Sequence, residues 1–143
     1  MKLNNKILGC VIISLLLYST KVIAEPIQII PIPDTIPEKI EYYADKYNVS
    51  SELMTQIISC ETANTFNPKI QSRVVYKFSS SKRGIVKGTQ EQSFGLSQIH
   101  LPDHPSVSYE EATDADFALD FMASKISDGQ ANIWSCYKNV KGV

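Results

Sequence analysis

Glu61 is the residue whose type and setting point most directly to proton chemistry. It closes the stretch Ser51-Glu-Leu-Met-Thr-Gln-Ile-Ile-Ser-Cys-Glu61, in which Ile57 stands four residues after Leu53, and Cys60 and Glu61 follow Ile57 by three and four. On a helix this spacing sets a carboxylate on or beside the apolar face. A carboxylate there must find a partner, lie off the buried face, or keep its proton. The negative end of a helix dipole pushes the same way, toward the neutral acid. Cleavage of a glycosidic bond needs such an acid, still protonated near neutral pH and able to protonate the leaving oxygen. The competing reading is an ordinary helix-end glutamate whose side chain reaches water or a lysine.

The segment ahead of the domain bears on the cysteines. Lys2 and Lys6 form a positive start, Ile7 to Tyr18 is nearly all apolar, and Val22-Ile-Ala24 suits a signal peptidase. Residues 1–24 are therefore expected to be a signal peptide and the protein exported, periplasmic or extracellular; an uncleaved amino-terminal anchor is the alternative. The apolar run is about twelve residues, short for a bilayer span. Removal leaves 119 residues, enough for one compact domain, with 11 Lys and Arg against 15 Asp and Glu. That negative balance argues against nucleic acid as a partner. Cys60 and Cys136 survive removal, and in an exported chain an even pair reads as one disulfide, two free thiols being the alternative. His100 and His104 have no cysteine near them, so a zinc site is poorly supported.

The elements that must position Glu61 are mostly helical. Residues 25–34, with Pro26, Pro31 and Pro33, read as an extended lead-in, and residues 35–143 as the domain. Thr35-Ile-Pro-Glu38 has capping-box spacing with proline in the first turn, and Ile40, Tyr43, Ala44 and Tyr47 give the buried stripe of a first helix. Ser50 or Ser51 caps the helix that carries Glu61, and Asn64 and Asn67-Pro68 end it soon afterwards.

Arg73-Val-Val-Tyr-Lys-Phe78 is β-like and Ser79-Ser-Ser-Lys-Arg-Gly84 a turn, which predicts a small hairpin or irregular flap. Lys69, Arg73, Lys77, Lys82, Arg83 and Lys87 make this region basic, with no acid between Glu61 and Glu91. It is either a solvated loop or a groove wall that draws in an anionic polymer. Ser93 to His100 reads as a glycine-permitted bend running into a short helix. Ser108-Tyr-Glu-Glu111 caps a brief helix, and Thr113-Asp-Ala-Asp116 a longer one with Ala115, Ala118, Leu119, Met122 and Ile126 as its core stripe. Gly129 ends that helix, and Asn132 is expected to cap a last turn carrying Ile133, Trp134, Cys136 and Tyr137. The fold class is therefore α+β and mostly helical, with a small β-like insertion.

Two motifs carry a family resemblance. Glu61-Thr-Ala-Asn-Thr-Phe-Asn-Pro68 resembles the Glu-Ser-x-Phe-x-Pro element of soluble lytic transglycosylases and goose-type lysozymes, and Ser93-Phe-Gly-Leu-Ser-Gln-Ile99 resembles their Gly-Leu-x-Gln-Ile element. Order and separation fit, over roughly residues 35 to 137. The resemblance implies a lysozyme-like fold, Glu61 as general acid and base, and cleavage of the N-acetylmuramic acid to N-acetylglucosamine bond of peptidoglycan with a 1,6-anhydro product. It implies no metal and no organic cofactor. It further implies that Thr62 orients the acid or contacts sugar, that Ser97 and Gln98 line the cleft, and that Gly95 admits a sugar close to the backbone. Local capping is the other reading of Ser97 and Gln98. Glu91 is either a second carboxylate, which would make hydrolysis available, or a salt-bridge partner for a flap lysine. Tyr137 is a candidate hydrogen-bond partner for Glu61, and Trp134 either stacks on sugar or packs in the core. Two departures stand out: Thr62 replaces the usual serine, and Phe66 lies two residues further from Glu61 than the pattern has it. The expected partner is the glycan strand of peptidoglycan, with a cell-envelope secretion or conjugation apparatus as the candidate protein partner and a monomer as the expected state. The alternatives are a hydrolytic muramidase and a non-catalytic glycan-binding or assembly protein on the same scaffold.

Overall fold

Helix α1 (Ile36–Tyr47) begins where Thr35 and Pro37 predict. Thr35 is the N-cap, but its hydroxyl donates to Glu38 Oε2 at 2.6 Å and accepts no helix amide, so the expected reciprocal box is not made. The buried face is Ile40, Tyr43 and Ala44, with Tyr47 half-buried beside them, as the spacing requires. The computed structural model describes residues 33–140; the expected signal peptide and residues 25–32 of the lead-in lie outside the described residues.

Ser50 accepts the Leu53 N–H at 3.1 Å and starts helix α2 (Ser51–Glu61). Its fully buried residues are Met54, Ile57 and Ile58. The stripe expected through Leu53, Ile57 and Cys60 is thus rotated: Leu53 is half-buried and Cys60 exposed. Glu61 keeps its place in the row, three residues after Ile58 and four after Ile57. Burial declines along that row to half at Glu61.

Helix α4 (Ala115–Ser127) packs on α1, capped by Asp114 rather than the expected Thr113; the Asp114 side chain accepts the Phe117 N–H at 2.8 Å. Ala118, Leu119, Met122 and Ala123 are buried, joining the α1 and α2 faces with Leu96 and Trp134 in one core. Lys39–Asp116 and Lys46–Asp120, both 2.5 Å, tie α1 to α4 at the rim, where such pairs are worth about 0–1 kcal/mol. Short helix α3 (Tyr109–Ala112) carries the full capping box that Ser108 and Glu111 predict. Gly129, at φ 74°, ends α4: its N–H reaches Ile126 O and the Gln130 N–H reaches Lys125 O. A 3₁₀ turn over Ala131–Ile133 follows, and helix α5 (Ser135–Val140) starts after Trp134. Asn132 lies inside that turn and so does not cap the last helix as expected.

Ser93 to His100 contains no helix, a 3₁₀ turn beginning only at Leu101. It forms a hairpin, β1 (Ser93–Phe94) against β2 (Ile99–His100), antiparallel with Ser93 opposite His100. The loop Gly95 to Gln98 needs left-handed backbone at both ends, φ 77° and 44°, which helix cannot supply. A Cβ on Gly95 would lie 1.8 Å from the Ala112 carbonyl oxygen, so this glycine serves a backbone crossing. The flap, residues 71–92, is held by the single bridges Gln71–Phe94, Val75–Gln90 and Ser80–Ile85, the irregular form of the two expected.

Candidate active site

Glu61 lies in the last turn of α2, against the first residues of α5. Cys60 and Cys136 join the two helices, their sulfurs 1.98 Å apart. The link brings the start of α5 against the acid: the Cys136 N–H donates to Glu61 Oε1 at 3.1 Å and the Ser135 hydroxyl at 3.3 Å. Burial is the main influence on this carboxyl and raises it above its ordinary value. The charge of Glu91 adds to the rise, and the two donors on Oε1 act against it. Because both recorded partners of the side chain converge on Oε1, the proton of the neutral acid belongs on Oε2.

The acid faces a cleft of about 520 Å³. Glu61, Ser135, Trp134 and Ile133 line it from one side of the chain's fold and Val74, Val75, Tyr76, Lys77 and Phe78 from the flap, together with Glu91, Gln98, His100, Arg83 and Asp103. The structure therefore brings four expected residues, Glu61, Glu91, Gln98 and Trp134, to one cavity. Gln98 spends its amide hydrogens on Gly95 O at 2.9 Å and Ile70 O at 3.4 Å, which leaves its carbonyl as the polar group available to a ligand. Glu91 Oε2 accepts the Ser72 hydroxyl at 2.6 Å, a hydroxyl rather than the flap lysine of the salt-bridge expectation. Trp134 is 4% exposed and its Nε1 donates to Ser97 O at 2.7 Å, so packing is its role and only an edge meets the cleft.

Four expected site residues do not line this cavity. Thr62 is fully buried; its hydroxyl donates to Ile58 O at 2.7 Å and accepts the Phe66 N–H at 3.2 Å. It pins the turn after α2 and does not reach sugar. The two extra residues before Phe66 are absorbed there by left-handed backbone at Ala63, Asn64 and Phe66, φ 50°, 62° and 49°, a conformation that costs about 1–3 kcal/mol at such residues. Ser97 is fully buried, its hydroxyl donating to Ala118 O at 2.5 Å, and neither lines this cleft nor caps a helix. Gly95 meets the Ala112 backbone in place of a ligand. Tyr137 packs half-buried against the core, and its neighbours Ser135 and Cys136 are the groups that hold Glu61.

Sequence reasoning overlooked Ser135, although the inferred Cys60–Cys136 link already set it beside Glu61. It also overlooked a network that fastens the flap. The Gln92 N–H donates to Tyr76 Oη at 3.1 Å, the buried Tyr76 hydroxyl shares a hydrogen bond of 2.6 Å with His100 Nε2, and His100 Nδ1 meets Asp103 Oδ2 at 2.8 Å. Arg83 also pairs with Asp103. Tyr76 and His100 are 24 positions apart and Arg83 and Asp103 are 20, separations no local pattern marks. Comparison with protein-family models, with curated proteins and with solved structures returns no match.

Proposed function

We propose that the protein is a peptidoglycan lytic transglycosylase that cleaves the β-1,4 bond between N-acetylmuramic acid and N-acetylglucosamine. The observation that carries the reading is the carboxyl of Glu61: half-buried, held above its ordinary value, and anchored through Oε1 at the wall of an open cleft. In this scheme Glu61 Oε2–H gives its proton to the glycosidic oxygen as the bond to the anomeric carbon breaks. The substrate's own acetamido oxygen stabilises the electron-poor carbon. The Glu61 carboxylate then takes the proton of the muramoyl 6-hydroxyl as that oxygen attacks the same carbon, which closes the 1,6-anhydro ring and restores the acid. No water is consumed, so one carboxyl suffices. The Cys136 N–H and Ser135 hydroxyl stabilise the carboxylate in the half-reaction where it carries charge.

Purified protein incubated with peptidoglycan is expected to release fragments whose muramoyl ends lack the elements of one water, read by mass spectrometry. Glu61→Gln is expected to lose at least about 10²-fold of that activity. A variant that digests wall as fast as the parent would remove Glu61 from the mechanism. One observation favours a second reading: Glu91 lines the same cleft and its charge acts on Glu61. With Glu91 positioning a water, the enzyme would be a hydrolytic muramidase, and the same mass analysis would find reducing ends. If neither parent nor variant cuts the glycan while both bind it, the scaffold serves binding or assembly.

A further inference from the structure

The cleft does not end at Trp134. A second cavity, of about 260 Å³, shares Gln98, His100, Asp103, Ile133 and Trp134 with it, so the two are adjoining chambers. Its own polar lining is His104, Lys125, Gln130 and Ser97, the last with its hydroxyl spent on Ala118 O. The turn at Gly129 closes the chain back on itself, the Gln130 N–H on Lys125 O at 2.9 Å, and so sets the Gln130 amide beside Lys125. Phe121 lies under both sides: the Lys125 Nζ stands 5.7 Å from its ring centre, and the His104 ring meets it edge-on at 5.2 Å.

The two chambers hold different charged groups. The first holds Glu61 and Glu91, close enough for one to act on the other, together with Lys77 and the paired Arg83 and Asp103. The second has one acid, Asp103, and that is already engaged by Arg83 and His100. Among the described residues Lys125 makes no ion pair. Burial, with Lys125 and His100 adding to it and Asp103 opposing, holds the His104 imidazole below its ordinary value, which makes it a neutral hydrogen-bonding group. An anion is thus favoured beside Lys125, away from the Glu91 carboxylate.

We propose that the second chamber receives a carboxylate-ended branch of the glycan whose backbone lies in the first, with Lys125 as its cation and Gln130 and His104 as hydrogen-bond donors. This rests on the glycan reading above and sharpens it: the preferred substrate is a strand that still carries its acidic peptide branches, in preference to a bare one. Lys77, which lines the first chamber, is the competing cation.

The test measures binding in the Glu61→Gln chain, which keeps ligands intact. Two probes are compared by calorimetry: a GlcNAc-MurNAc tetrasaccharide with peptide branches ending in free carboxylates, and the same molecule with those carboxylates converted to amides. The acid form is expected to bind more tightly. Lys125→Ala is expected to cost it about tenfold, to leave the amide form within about twofold, and to be largely restored by Lys125→Arg. Melting curves check that each variant is folded. Equal losses for both probes, no loss, or a preference removed by Lys77→Ala instead of Lys125→Ala would each overturn the assignment while leaving the glycan reading standing. If neither probe binds the Glu61→Gln chain, the glycan reading has failed and this one falls with it.

Discussion

The two walls of the cleft are built by different physics. The wall that bears Glu61 grows out of the core: Met54, Ile57 and Ile58 are fully buried, and α2 is tied to α5 by the Cys60–Cys136 link and by the amide and hydroxyl on Glu61 Oε1. The flap wall has Tyr76 and Ile85 as its buried anchors, single bridges in place of a ladder, and a chain of polar contacts through His100 and Asp103. Val74, Val75, Phe78 and Val86 stand about half exposed on it. The difference teaches where each task belongs. An acid that transfers a proton needs fixed geometry, which close packing supplies. A surface that accepts a polymer is better served by a wall that can give, since few buried contacts mean low local stability.

The largest test of this contrast is functional. Loss of the Glu61 acid should cost at least about 10²-fold in wall digestion, whereas Val75→Ala on the facing wall should change it by less than about fivefold. If the flap variant is the more damaging, the cleft is organised around the wrong wall. Next comes stability. Replacing both Cys60 and Cys136 by serine, which opens a loop of 76 residues, is expected to cost about 2–4 kcal/mol, and Ile57→Ala about 2–5 kcal/mol, against about 0.5 kcal/mol or less for Val75→Ala. Denaturant midpoints of the four proteins read this directly, and equal losses on the two walls would erase the distinction. Tyr76→Phe should fall between, at about 1 kcal/mol, because it removes the hydroxyl that links Gln92 to His100. Its mark on activity should lie in KM rather than kcat, since it loosens a substrate wall and leaves the acid untouched.

How far the sequence foretold this follows the same divide. Helix caps and stripes were legible because they are local: Ser50, Ser108 and Gly129 act within a few residues of themselves, and the cap of α4 lies one residue on from the expected Thr113, at Asp114. The row through Ile57 to Glu61 was legible too, although its neighbours are Met54 and Ile58 and not Leu53 and Cys60. The hairpin at Ser93 to His100 was misread as bend and helix, because a four-residue loop turning through left-handed Gly95 and Gln98 leaves only two residues on each strand. That is too short for alternation to appear. The hydroxyls of Thr62 and Ser97 were placed at the site by the family resemblance alone. Which hydroxyls are consumed by Ile58 O and Ala118 O depends on burial, which residue type does not encode. Ser135 was reachable through the disulfide, and the Tyr76–His100–Asp103 chain was not, since its members meet only once the flap has folded over.

The smallest expected effect concerns the charge of Glu61 itself, and it tests whether the rigid wall holds this acid against its preference. The carboxyl is raised above its ordinary value, with burial as the main cause. Over the window between the ordinary value and the raised one, the folded chain keeps a proton that the unfolded chain has released. There the native state binds more protons, so stability falls as pH rises. Below the window the loss is absent; above it the loss is complete. Glu61→Gln keeps the shape, removes the charge, and can still turn an oxygen toward the Cys136 N–H and the Ser135 hydroxyl. The variant should therefore melt above the parent at neutral pH, and the gap should close as pH drops below the ordinary glutamate range. Melting temperatures of both proteins from about pH 3 to about pH 8 measure it. A gap that ignores pH would mean the charge is not strained. A parent more stable at neutral pH would mean that the two donors on Oε1 outweigh burial, which would make Glu61 an anchored carboxylate and a poor proton donor.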